Sequence, residues 1–181
     1  MTITKFGAAL SLAILATTPS LAVEAMKPKP ADDASPVMAV DTAIFLKVAS
    51  GSNEFEIQSS KLAKDKGVKG DVAMLADMII EDHTKAGEKL KATLEAKNEK
   101  APAPELAPKQ KKMLEQLKAA DYADFETLYL DIQAQAHMEA VALFRTYAGS
   151  GDDQTIVGFA KETLPRLETH MAHVKELIAA K

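Results

Sequence analysis

Four residues well separated along the chain, Glu56, His83, His137 and His170, carry side chains that could act together chemically. Three imidazoles and a carboxylate supply the nitrogen and oxygen donors that zinc and other first-row divalent ions take up in compact geometry. An imidazole must be neutral to bind, so such a site would weaken as pH drops below about 6.5. Asp82 and Gln133 stand close enough in sequence to orient these ligands from outside. The competing explanation needs no ion: three core histidines hydrogen-bonded to Glu56, to Gln133 or to the backbone, since buried polar groups can satisfy one another.

Other chemistries have little support. There is no cysteine, no G-x-S-x-G turn and no glycine-rich loop between a strand and a helix. The net charge is −4, and the one basic cluster is Lys109, Lys111 and Lys112. A nucleic-acid footprint needs a basic face with stacking aromatics, so none is expected. An enzyme, whether hydrolase or oxidoreductase, would have to work through the metal and would need an open coordination position. His173 falls beside Glu162, Arg166 and Glu176, which marks it as solvated. The methionines sit in or near helical stripes, where packing accounts for them.

The elements that must position the four residues are helices, because Ala, Leu, Lys and Glu dominate and tryptophan is absent. A first helix, capped by Ser35 or Asp41 and stopped at Gly67, carries Phe45, Ala49, Ser52, Glu56, Ser59 and Ala63 at three- and four-residue steps. A second, from about Asp71 to Lys97, aligns Leu75, Ile79, His83, Leu90 and Leu94. Pro102 and Pro104 then break the chain, and a short amphipathic segment from Leu106 to Ala119 follows as a crossover. A third helix, Asp121 to Ala148, aligns Leu130, Gln133, His137, Val141 and Phe144. The last, capped by Asp152 or Asp153, runs to the C-terminus with Ile156, Ala160, Leu167, His170 and Val174 in line. Pro165 lies inside it, and the lost hydrogen bond predicts a kink or an opened turn before His170.

Each helix thus places one polar residue on its inward stripe. At about 1.5 Å per residue, Glu56 lies roughly 14 Å before the end of its helix and His83 roughly 18 Å into the second. His137 lies at most roughly 24 Å into the third helix, and His170 roughly 16 Å before the C-terminus. These depths coincide if the long connection lets the second and third helices run parallel, in up-down-down-up order. In an up-down-up-down bundle His170 would fall roughly 27 Å from the end where Glu56 sits.

The N-terminus reads as an export signal. Lys5 precedes an apolar run from Phe6 to Ala16, and Ser20-Leu21-Ala22 forms a small-x-small cleavage site. The run, about eleven residues, is too short for a membrane-spanning helix, which needs roughly twenty. Residues 1–22 are therefore expected to be a signal peptide and 23–36, with Pro28, Pro30 and Pro36, a flexible leader. Residues 37–181 make the bundle domain, in the periplasm or secreted, with no integral membrane segment after cleavage. Without cysteine, neither a lipid anchor nor a disulfide supports it, so a hydrophobic core must.

The stretches Phe55-Glu56-Ile57 to Leu62-Ala63, Met78 to Asp82-His83, Gln133 to Ala136-His137, and Leu164-Pro165-Arg166-Leu167 with His170 together resemble the bacterial family catalogued as domain of unknown function 4142. The resemblance covers the chain beyond its leader and implies a ferritin-like fold and export, without implying a reaction. Ferritin-like di-iron sites use Glu-x-x-His motifs. Here Ile80 and Leu167 stand three residues before His83 and His170, so ferroxidase or iron storage chemistry is not expected. What remains is an exported bundle that binds a divalent ion, zinc foremost, or else an envelope or stress-related interaction protein with a metal-free polar core.

The cleavage-site pattern predicts that the exported product begins at Val23. Mass spectrometry of protein recovered from outside the cytoplasm checks this, and an intact Met1 terminus would contradict it.

Overall fold

A computed structural model describes residues 40–181, so the predicted signal peptide and leader lie outside the described residues. All regular structure among the described residues is helical: α1 Thr42–Asp65, α2 Gly70–Ala96, α3 Pro108–Ala119, α4 Tyr122–Ser150 and α5 Gln154–Ala179. Local chemistry sets the ends. The Asp41 carboxylate accepts the backbone N–H groups of Ala43 and Ile44, and Asp153 does the same for Thr155 and Ile156. Gly67 takes φ +79°, a conformation that favours glycine, and lets the Val68 N–H return to the Ala63 carbonyl at 3.2 Å.

Two boundaries differ from the sequence expectation. The crossover helix starts at Pro108 rather than Leu106, because the fixed proline φ suits a first turn and the Gln110 side chain accepts the Ala107 N–H at 2.8 Å. The third bundle helix, α4, continues past Ala148 to Ser150, its end closed by a Gly151 N–H bond to the buried Tyr147 carbonyl. Pro165 does not interrupt α5.

Side-chain contacts between helix ends fix the topology. Thr42 bonds to Tyr147 and Asp152, Phe45 stacks on Tyr147 at 4.0 Å, and Lys97 pairs with Asp153. The start of α1, the ends of α2 and α4 and the start of α5 therefore share one end of the bundle. At the other end, the Lys66 ammonium donates to the Lys118 and Ala120 carbonyls, and Lys181 pairs with Glu126. This is an up-down-down-up four-helix bundle, the single-crossover connectivity of ferritin-like folds. Residues 98–121 traverse its length, and α3 lies against α1 and α4.

The interior has three zones. Phe45, Leu90, Leu94, Phe144, Ile156 and Phe159 belong to one apolar cluster, and Phe55, Leu75, Ile79, Leu117, Phe125 and Leu130 to another. Also buried are Glu56, Ser59, Ser60, His83, Gln133, His137 and His170; on α2, α4 and α5 the polar positions fall between those two sets, and on α1 they follow Phe55 of the second. No helix among the described residues is long and apolar enough to cross a membrane.

The crossover is held close to α1 at Gly51, where a Cβ would lie 2.4 Å from the Glu105 carbonyl oxygen. Gly51→Ala should therefore destabilise the fold by about 1–2 kcal/mol in urea unfolding, the forced displacement outweighing a helix-propensity gain of about 1 kcal/mol. Unchanged or raised stability would show that the crossover is free to move off α1.

Candidate metal centre

His83 from α2, His137 from α4 and His170 from α5 converge, with one ring nitrogen of each within 4.8 Å of one from each of the others. Their ring centroids are 5.3–5.7 Å apart. His137 and His170 are fully buried and His83 is 5 % exposed. Glu56, from α1, lies against this trio rather than within it, its Oε1 3.5 Å from His137 Nδ1. The structure thus brings all four sequence-identified residues to one level of the bundle and groups the three histidines most tightly. His173 is exposed on the outer face of α5.

The outward contacts of the rings fix where their protons sit. His137 Nδ1 is 3.0 Å from the Gln133 backbone carbonyl, which can only accept, so Nδ1 carries the hydrogen and Nε2 the lone pair. His170 Nε2 is 2.9 Å from the Asp82 carboxylate, which places the lone pair on Nδ1. His83 Nδ1 is 3.1 Å from the Asn53 side-chain oxygen, which leaves the lone pair on Nε2. With both rings neutral, His137 Nε2 and His170 Nδ1 face each other at 3.3 Å with no hydrogen between them. His83 Nε2 is buried with no hydrogen-bond partner. Three imidazoles anchored from outside and presenting bare nitrogen to one another are the arrangement that metal-binding histidines adopt.

Electrostatics agree. Burial, reinforced by His137 and His170, lowers His83 well below the ordinary imidazole value. Burial and the neighbouring His170 push His137 down to about 4, against the opposing pull of the Gln133 carbonyl. Burial also lowers His170, although Asp82 opposes it. All three are therefore neutral at pH 7. Burial raises Glu56 well above the usual carboxylate range, and neither of its oxygens is hydrogen-bonded; Gln133 approaches closely enough to temper the shift without making such a bond.

The family described as Domain of unknown function (DUF4142) matches residues 27–177. The chain belongs to this family. No curated protein and no solved structure matches it. The family's description assigns no chemistry, so the DUF4142 chain must be interpreted from its own polar layer.

Some partners in this DUF4142 layer were visible in sequence and some were not. Asp82 and Gln133 act from outside the trio, Asp82 through its carboxylate and Gln133 through its backbone carbonyl. Asn53 was missed, although it lies three residues before Glu56 and hence on the same side of α1. Ser59 accepts a hydrogen bond from the Gln133 amide at 2.8 Å, and Ser60 pairs with the Tyr129 hydroxyl at 2.9 Å. The small polar residues of α1 gave the only hint of these bonds.

These shifts dictate how stability of the metal-free protein varies with pH. His137 has a folded value of about 4 against roughly 6.5 unfolded, so the unfolded chain binds more protons between these limits and stability falls as pH drops through that window. The loss from His137 alone should approach about 2–3 kcal/mol, and His83 and His170 act in the same direction. Glu56 has the opposite sign: its contribution is present below about pH 4.5 and is lost as pH rises through its raised value. Urea unfolding in chelator should show His137→Gln flattening the acid-side fall and Glu56→Gln exceeding the wild type in stability at pH 7. An unchanged acid-side slope in His137→Gln would contradict the buried neutral imidazole.

Proposed function

We propose that this protein is an exported bundle whose function is to bind one divalent ion, zinc foremost, on His83, His137 and His170. The observation that carries this is the convergence of three bare ring nitrogens, each imidazole anchored by a different acceptor. Two donors about 2.0–2.1 Å from a tetrahedral ion stand about 3.3 Å apart. His137 Nε2 and His170 Nδ1 have that separation, 3.3 Å. Glu56 supports the site from beside His137, and Asp82 holds His170 in the binding tautomer. Export is supported by the Lys5-led apolar run and the Ser20-Leu21-Ala22 pattern.

A metal-free, hydrogen-bonded core accounts for these residues less well. Such a core would pair its polar atoms, whereas both Glu56 oxygens, His83 Nε2 and the Gln133 side-chain oxygen have no partner. A divalent ion would remove the worst of these conflicts, the opposed lone pairs and the bare His83 nitrogen.

Calorimetric titration of metal-stripped, untagged protein with zinc should give one site per chain. His83→Ala, His137→Ala and His170→Ala should each weaken binding at least about 100-fold, and Asp82→Asn about 10–100-fold, while His173→Ala leaves it unchanged. The lowered His137 value of about 4 moves proton competition below the ordinary histidine range, so affinity should persist at pH 6. No binding at neutral pH, or binding indifferent to His83→Ala and His137→Ala, would dismiss the site.

A further inference from the structure

A cavity of about 950 Å³ opens between α1, α2 and α5, and both His83 and His170 line it. Its volume is at the upper end of the range typical of small-molecule sites, about 300–1,000 Å³. The buried part of its wall is apolar along Ala49, Leu90, Phe144, Phe159 and Leu167 and polar at Glu56, His83 and His170. Its mouth is charged, with the Lys89–Glu162 pair and Arg166 beside Asp82 at 3.4 Å. An ordinary packed bundle would have filled this space with side chains, as the cluster around Phe55, Leu117 and Phe125 does.

Two groups on the cavity wall lack partners: the Glu56 carboxyl and His83 Nε2, in residues fully buried and 5 % exposed respectively. Structural zinc sites close their tetrahedron with a fourth protein ligand, whereas open sites keep that position for an incoming donor. Among the described residues, the ligand atoms that converge come from the three histidines alone. Three neutral imidazoles leave both positive charges of a divalent ion uncancelled. The Asp82 carboxylate balances one from outside.

Resting on the metal centre proposed above, we infer that this cavity delivers a monocarboxylate with an apolar body to the ion on His83, His137 and His170. The ligand's carboxylate takes the open position and meets Glu56, while its tail lies along Leu90, Phe144 and Phe159. A charged head alone would leave the apolar wall facing water, and an apolar molecule alone would leave His83 and Glu56 unsatisfied.

The test uses the protein loaded with cobalt(II), whose visible absorption reports its coordination, and octanoate as the probe, with acetate as the comparison. Octanoate should shift the cobalt bands saturably and bind at least about 100-fold more tightly than acetate, as six extra buried methylene groups require. Ala86→Phe, at a half-buried position on the cavity wall, should keep the cobalt stoichiometry and abolish that preference. Protein that takes up no cobalt overturns the metal centre and this inference with it. Cobalt protein whose spectrum octanoate leaves unmoved, or moves no more readily than acetate does, overturns the inference alone. An octanoate preference that survives in Ala86→Phe places the tail elsewhere and also overturns it.

Discussion

Burying three imidazoles in the middle of a helical bundle is the constraint on which the rest of this structure depends. Each ring has one nitrogen that can donate and one that can accept, and a dry interior requires the donor to find an acceptor. The Gln133 carbonyl, the Asp82 carboxylate and the Asn53 amide oxygen meet that requirement from three different helices. Satisfying the outer nitrogens turns the inner ones toward one another, so the bundle accepts local repulsion as the consequence of orienting the rings. A protein selected only for a stable core would have no reason to retain this arrangement, because apolar residues of similar volume would pack there without unpartnered atoms.

The helices follow from that constraint. His83 and His137 reach the same depth because α2 and α4 both end at the Tyr147 end of the bundle. That requires a connection as long as the bundle, which residues 98–121 supply, with α3 covering the seam between α1 and α4. Lys66 secures the far end by donating to carbonyls at the C-terminus of α3, where a cation also complements the helix dipole. The crossover is thus the element that allows polar residues from antiparallel hairpins to share one level.

Much of this was legible in sequence because helical periodicity and depth are both linear quantities. Glu56, His83, His137 and His170 each sit on an apolar stripe, and counting residues from Gly67, Asp71, Asp121 and Lys181 predicts their common level. What counting cannot provide is the direction a side chain takes within its layer. Glu56 and the histidines share a depth, yet Glu56 meets the Nδ1 side of His137 and only the histidines turn nitrogen toward a common centre. Asn53 escaped notice for a related reason: its contact with His83 depends on how α1 and α2 are rotated against each other, which no periodicity in one helix records. The proline in α5 lies within a helix that continues on both sides of it.

The two apolar clusters on either side of the polar layer differ in a way that bears on function. Around Phe125, Tyr129 and Leu117 the crossover helix adds a further layer over the bundle, and Tyr129 is fully buried with its hydroxyl on Ser60. Around Leu90, Phe144 and Phe159 the non-helical stretch near Pro102 and Pro104 lines the cavity and leaves it open. Proline there removes backbone donors that an uninterrupted helix across that opening would use, and α3 begins only at Pro108. The same crossover that brings the histidines to one depth is therefore helical on the closed side of the centre and irregular on the accessible side. An ion held by neutral ligands behind a dry wall would be a structural staple; one reached through an apolar channel is suited to exchange a ligand, and the asymmetry of the crossover favours the second.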